Sequence, residues 1–270
     1  MNPFVAIALN LLIILALSAG IAYLIMRWTF GEKRHSKLLY RYADINVTVN
    51  SGAIVLLSLG LAFIFGDISG VRSRAKLAVL QEADAIRTIG RMSLTLDPSI
   101  GVPLMKSARE YTKAVLEKEW PQLARGTPDE IRTGKHSALT PLTVMSDIIY
   151  VPANLLKLPN ASSMQLSNLI TRIREQRLLR IDASSHNIGL RSAILAAITT
   201  LASCVIVSLV NLHRRGSQFL SNFVLFAMTM SVFYLAFITQ NPFSGPDFVS
   251  NSPIQEAYDR LNNMRLTLGE

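Results

Sequence analysis

One cysteine, Cys204, is the whole thiol content of this 270-residue chain. A lone cysteine cannot close an intramolecular disulfide, and at its position in an apolar run it reads as a small buried hydrophobe. Histidine is also scarce. His35, His136, His186 and His213 stand three or four residues from neither another histidine nor the cysteine, so no zinc-type ligand spacing exists. No glycine-rich phosphate loop, nucleophile elbow or His-Glu-x-x-His helix occurs. No catalytic residue, metal ligand or cofactor is therefore expected, and the chain does not read as an enzyme. Charge is the scarcest commodity: 17% of residues are charged, against 50% hydrophobic. That balance excludes a disordered chain and an ordinary soluble domain.

The charges that exist are unevenly spread. Residues 1–26, 45–66, 192–212 and 216–246 contain no Asp, Glu, Lys or Arg. A membrane helix needs roughly 20 predominantly apolar residues, and each stretch is long enough. The first span is placed at Phe4 to Met26. Its start, Met1-Asn2-Pro3-Phe4, has no basic residue and its apolar run exceeds a signal-peptide core, so it reads as a retained anchor. The second runs from about Ile45 to Gly66, with Gly52 and Gly60 near one face where another helix could approach closely. The third covers Ser192 to about Val210 and the fourth about Phe219 to Ile238, joined by the short turn 211–216. The fold class expected is all-α: an integral membrane protein with four transmembrane helices and a helical extramembrane block between spans 2 and 3. Four regions follow: 1–66, the first transmembrane pair with a basic loop at 27–44; 67–191, the helical block; 192–238, the second hairpin; and 239–270, a turn and final helix.

The block lacks any long strand-like alternation. Expected helices are Ile68 to Leu94, broken by Asp97-Pro98; Val102 to Trp120, ended by Pro121; Thr143 to Leu158; and Ser162 to Ile188, with a loop at 121–137. The net charge of +9 does not mark nucleic acid. It divides into +3 in the first loop, +6 in the block, +2 in the hairpin turn and −2 in the tail, with none on the spans. Short-loop charges at 27–44 and 211–218 place the block outside the cytoplasm by the positive-inside tendency, whereas Arg72, Arg74, Lys76, Arg177, Arg180 and Arg191 at its joins argue the reverse. Sidedness stays open.

Within the block, Ala75, Val79, Glu82, Ile86 and Ile89 share one helical face, so Glu82 interrupts an apolar stripe. Arg177 and Arg180 lie where the stripe of Leu166, Ile170 and Ile173 turns polar. A lone buried carboxylate is expensive, so Glu82 either pairs with Arg177 or Arg180 or reaches water along its aliphatic stem. Tyr111 and Trp120, with Leu104, Ala108 and Val115, read as packing residues.

After the fourth span, Asn241-Pro242-Phe243 with Gly245 following cannot continue a helix. This stretch resembles the Asn-Pro-Phe-Gly turn that bestrophins carry after their last membrane helix. With Asn251-Ser252-Pro253, Glu82, Trp120 and the basic helix before the third span, the layout is similar to the bestrophin-like family of bacterial membrane proteins. The resemblance implies a multi-pass protein of the bacterial plasma (inner) membrane, whose partners are the lipid bilayer, further copies of itself in a homo-oligomer such as a pentamer, and anions. It further implies an anion pore lined by the second span. Asn50, Leu56, Leu59, Gly60 and Phe63 are then the pore and constriction candidates, the apolar ones gating by dewetting. Calcium-binding bestrophins have an acidic run after the turn. Here Asp247 stands alone, so a calcium site is not expected. The alternative reading is a non-conducting membrane scaffold or sensor whose helical block binds a partner.

Overall fold

A computed structural model describes residues 3–31, 47–134, 137–151, 154, 157–185, 190–211, 215–245 and 247–267. The first basic loop beyond residue 31, the join at 186–189 and the hairpin turn at 212–214 lie outside them, as do all four histidines. Among the described residues there is no strand. The helices are α1 (Pro3–Gly31), α2 (Val47–Ser93), α3 (Pro98–Ala114), α4 (Trp120–Arg125), α5 (Pro128–Arg132), α6 (Leu139–Tyr150), α7 (Asn160–Ser184), α8 (Leu190–Val210), α9 (Arg215–Thr239) and α10 (Ser252–Thr267). They form two compact units, Met1–Ile68 with Ile188–Ile238, and Ser69–Asn187 with Thr239–Glu270.

The first unit wears its apolar residues outside. Leu12, Leu17, Leu24, Ile198, Leu201, Leu220, Met228 and Phe237 are all exposed. Its interior is thin and partly polar. Ile64 and Ile68 of α2 pack with Ala196 and Ala236, and Phe233 closes on them. Asn222 Nδ2 donates to Ser208 Oγ at 2.9 Å, pinning α9 to α8, and Asn10 Nδ2 donates to Tyr234 Oη at 3.0 Å, tying α1 to α9. Apolar outside with hydrogen bonds between helices is the arrangement that a lipid solvent favours, because tails offer no hydrophobic contrast and no polar partner. By length and composition, Ile54–Ser93 and Arg215–Thr239 contain segments able to cross a membrane; Leu12–Trp28 and Ala196–Val210 are shorter apolar helices.

The second unit has a conventional core. Ala75, Val79, Ala83, Ile86 and Ile89 of α2 are fully buried with Ile100, Leu104 and Met105 of α3, Leu142, Met145 and Ile149 of α6, and Leu166 and Ile173 of α7. Ile254, Ala257 and Leu261 of α10 complete it.

Several boundaries differ from the sequence reading. The second span and the first block helix are one helix, α2, because Gly66 and Asp67 lie in a continuous helical run. A single glycine or aspartate lowers helix propensity without ending a helix that packing supports. The second block helix begins at Pro98, earlier than expected. Asp97 caps it, its Oδ1 accepting from the Ser99 amide at 2.9 Å, and proline fits the first turn because no amide is needed there. These Ser99 hydrogen bonds hold the Asp97 carboxyl below its usual range. Pro121 does not end a helix. It sits in the first turn of α4 after a π-helical turn, Val115–Glu119. The expected loop 121–137 contains the rest of α4 and all of α5. The third block helix runs Leu139–Tyr150, short of Leu158.

Gly101 shows how tightly α3 folds back on α2. A Cβ there would collide with the Ser93 carbonyl oxygen and touch Leu96. Since the obstacle is backbone, Gly101→Ala should lower stability by about 1–3 kcal/mol, the usual range for overpacking. A depressed thermal midpoint of the purified full-length variant checks this; an unchanged midpoint would show that the turn has slack.

Candidate functional site

Two sets of residues stand out: an apolar face of α2 in the first unit, and a buried charge cluster in the second.

Leu56, Leu59 and Phe63 are spaced by three and four residues, which stacks them on one face of α2. All three are exposed in the protomer, Phe63 at 70%. Leu57, Ile64 and Ile68 are buried on another face. Gly60 is half-buried, and a Cβ at Gly60 or Gly52 would meet nothing within 4 Å. Among the described residues no helix approaches closely at these glycines, and α2 packs through the Leu57–Ile64–Ile68 face. Asn50 lies in the helical run, but its side chain is outside the described set.

In the second unit, Glu82 of α2 is fully buried, as is Arg180 of α7. Arg180 Nε donates to Glu82 Oε2 at 2.8 Å and Nη2 to Oε1 at 3.1 Å, a two-pronged contact. Nη2 also donates to Glu119 Oε2 at 2.9 Å. Arg177 engages Glu119 rather than Glu82: its Nε and Nη2 donate to Oε1 at 2.9 and 2.7 Å. Two carboxylates and two guanidiniums therefore form a neutral quartet. The Tyr111 hydroxyl of α3 donates to Glu82 Oε1 at 2.6 Å. Ala138 N, just before α6, donates to Glu119 Oε1 at 2.7 Å. The quartet thus joins α2, α3, the π turn, α6 and α7.

Electrostatics follow the geometry. Burial alone would push Arg180 down, but Glu82 and Glu119 outweigh it and hold the guanidinium above its ordinary value. Tyr111 is raised well above the usual phenol, by burial first and then by Glu82. It stays protonated and able to donate. Arg180 Nη1 has no hydrogen-bond acceptor among the described residues. The guanidinium carbon lies 5.9 Å from the Trp120 ring centroid, a cation–π contact.

Trp120 links the quartet to the C-terminal turn. Phe243 meets it edge-on, ring centroids 5.4 Å apart at 81°. Asn241 shapes the turn: its Oδ1 accepts from Phe243 N at 2.9 Å, while its Nδ2 donates to the Leu123 carbonyl at 3.0 Å. Val249 N returns to the Pro242 carbonyl at 2.7 Å. Gly245 has φ of 94°, a region that residues with a Cβ seldom adopt. The Asn-Pro-Phe stretch is thus a plug seated on the ring that faces Arg180.

Those contacts bring together the residues that carried the sequence resemblance, and a match to a family model decides the matter: the bestrophin-like domain matches residues 12–254. The chain belongs to the bestrophin-like family. Solved structures agree in fold. A point mutant of a bacterial bestrophin homologue from Klebsiella pneumoniae is 12% identical, with a TM-score of 0.66 over 97% of this chain and 100% of that one. The homologue solved by Zn-SAD phasing, from the same organism, is 13% identical, with a TM-score of 0.65 over 94% and 97%. A further structure, described only as a mutated membrane protein, is 12% identical, at 0.67 over 94% and 98%. No curated protein matches the sequence. At these identities the likeness concerns fold, and membership makes this a bestrophin-like membrane protein.

Sequence reasoning passed over Glu119 and the Tyr111 hydroxyl. A signal was present: Leu104, Ala108, Tyr111, Val115 and Glu119 continue one stripe at spacings of four, three, four and four. Among the described residues no group of His, Cys, Asp or Glu is arranged to hold a metal.

Removing one member of a buried ion pair leaves an uncompensated charge and costs about 3–5 kcal/mol. Glu82→Gln should therefore destabilise by that order. The double variant with Arg180→Met should lose about 0.5–3 kcal/mol less than the sum of the singles. Denaturant midpoints of the four proteins measure the coupling, and additivity would mean that the two side chains act independently.

Proposed function

We propose that this bestrophin-like protein is an oligomeric anion-conducting channel of the bacterial inner membrane, with copies of α2 around a common axis. One observation carries the reading most directly: Leu56, Leu59 and Phe63 form an apolar face that its own protomer leaves uncovered, on a helix whose other face is packed. A ring of such faces makes an apolar constriction, which passes ions when wetted and blocks them when dry. Gly60, beside it, gives the constriction local width, and Asn50 stands on the same helix. Family membership supports the same reading, since bestrophins conduct anions, and closed cyclic symmetry is the usual arrangement for such assemblies. A pentamer is the proposed ring, and four spans, adding α1 and α8 to α2 and α9, the proposed topology.

The quartet's part in this function is mechanical. It fastens the C-terminal half of α2 to α7, and α2 is continuous with the constriction segment.

Reconstitution into chloride-loaded vesicles tests the proposal. The wild type should release anions. Gly60→Trp should reduce the initial efflux rate at least tenfold, and Phe63→Ala should raise it by widening and wetting the constriction. Vesicles that stay sealed with correctly folded wild-type protein would contradict conduction and favour the scaffold or sensor reading.

A further inference from the structure

A cavity of about 380 Å³ lies between α2 and residues 247–253 of the second unit. It is within the range of roughly 300–1,000 Å³ typical of small-molecule sites. Its polar lining comes from Arg72, Lys76, Asp247, Ser250 and Ser252, over an apolar floor that includes Val79. None of these residues belongs to the quartet or to the constriction.

The electrostatics are unequal. Arg72 and Lys76, one turn apart, contribute two positive charges; Asp247 contributes one negative charge. Arg72 Nη1 meets Asp247 Oδ2 at 3.0 Å, and the Asp247 side chain is 83% exposed while that of Arg72 is 24% exposed. The other two guanidinium nitrogens, Nε and Nη2, are buried and have no hydrogen-bond acceptor among the described residues. A guanidinium presents a rigid fork suited to two parallel bonds from one oxyanion. Here a single carboxylate oxygen fills one position, from the solvent side. Such a pair is readily exchanged, since exposed ion pairs hold weakly.

An anion displacing Asp247 would meet more donors than the carboxylate does. Arg72, Lys76, Ser250 and Ser252 all line the one cavity. A halide is too small to touch them together, and a planar carboxylate lacks a third oxygen. A tetrahedral phosphate has acceptors in every direction. A divalent cation fits badly, with two cations facing it and one carboxylate to hold it. Arg72 also follows Asp67, which closes the charge-free stretch, by five residues, roughly 7.5 Å along a helix. By sequence, Arg72 thus stands just past the apolar run, and headgroups lie just beyond a bilayer's hydrocarbon core.

We propose that this cavity binds a phosphate group, either a free phosphate ion or the headgroup of an anionic phospholipid, with Asp247 as the carboxylate it displaces from Arg72. The proposal stands apart from the pore reading.

Equilibrium binding to the full-length protein in maltoside micelles tests it, with radiolabelled inorganic phosphate in one arm and short-chain phosphatidylglycerol in the other. At least one probe should bind saturably, and Arg72→Gln and Lys76→Gln should each weaken it at least tenfold. Asp247→Asn should tighten binding several-fold, because it removes the competitor. Arg74→Gln should leave binding unchanged; that side chain is exposed and bonds to the Gly70 carbonyl. Binding of phosphate alone identifies a free ion as the occupant, binding of the lipid alone a headgroup, and binding of both the shared group. Lys76 is exposed and in no ion pair among the described residues, so its variant reports even if Arg72→Gln fails to fold. The proposal is overturned if neither probe binds saturably, or if the Lys76 variant binds as wild type. It is equally overturned if Asp247→Asn weakens binding as Arg72→Gln does, for the pair would then be purely structural.

Discussion

A guanidinium with no access to water must find its counter-charges inside the protein, and Arg180 finds two. Glu82 comes from α2 and Glu119 from the π turn after α3, while Arg180 and Arg177 come from α7. Desolvating four charges is unfavourable, so the quartet is poor evidence for stability in itself. Its effect is geometric. A planar fork accepts two carboxylates only in restricted orientations, and α2, α3 and α7 must therefore meet in one rotational setting. The Tyr111 donor, the Ala138 amide and the Trp120 ring complete that setting, and Phe243 holds Trp120 in place. The Asn-Pro-Phe turn of this bestrophin-like chain is thus connected to its charge cluster through two aromatic rings.

The other consequence concerns α2. One uninterrupted helix carries Leu56, Leu59 and Phe63 near its start and Glu82 near its end. The ion pairs act on its C-terminal half, within the second unit. Among the described residues, the first unit buries Leu57, Ile64 and Ile68 of α2 and leaves its other large apolar residues exposed, the kind of surface that marks a membrane or interaction face. The proposed channel joins these facts: a continuous helix, mounted at one end, presents an apolar ring element at the other.

How much of this was legible beforehand depended on which signal each feature leaves. The apolar runs were plain, because the absence of charge over twenty residues has few other causes. Glu82 was legible because a carboxylate interrupting a four–three–four–three stripe demands explanation, and Arg177 and Arg180 because they sit where a second stripe turns polar. Which arginine meets which glutamate was not legible. That pairing depends on the π turn, which redirects Glu119 toward α7, and one extra residue per turn leaves no compositional trace. Boundaries near proline misled for a related reason. Pro98 and Pro121 stop a helix when they follow it but suit the first turn of the next one, and spacing alone does not say which. Gly52 and Gly60 suggested a close neighbour, yet no described residue lies within 4 Å of a Cβ there. A small residue permits an approach without supplying the partner.

In the proposed channel α2 lines a shared axial path at Leu56, Leu59 and Phe63. A single-particle reconstruction of the full-length protein in lipid nanodiscs tests it most directly. The expected result is a closed ring with those three side chains of every copy facing one axis and the narrowest radius between them. A monomer, a two-fold dimer without an axial path, or a ring with that face turned outward to lipid would contradict it.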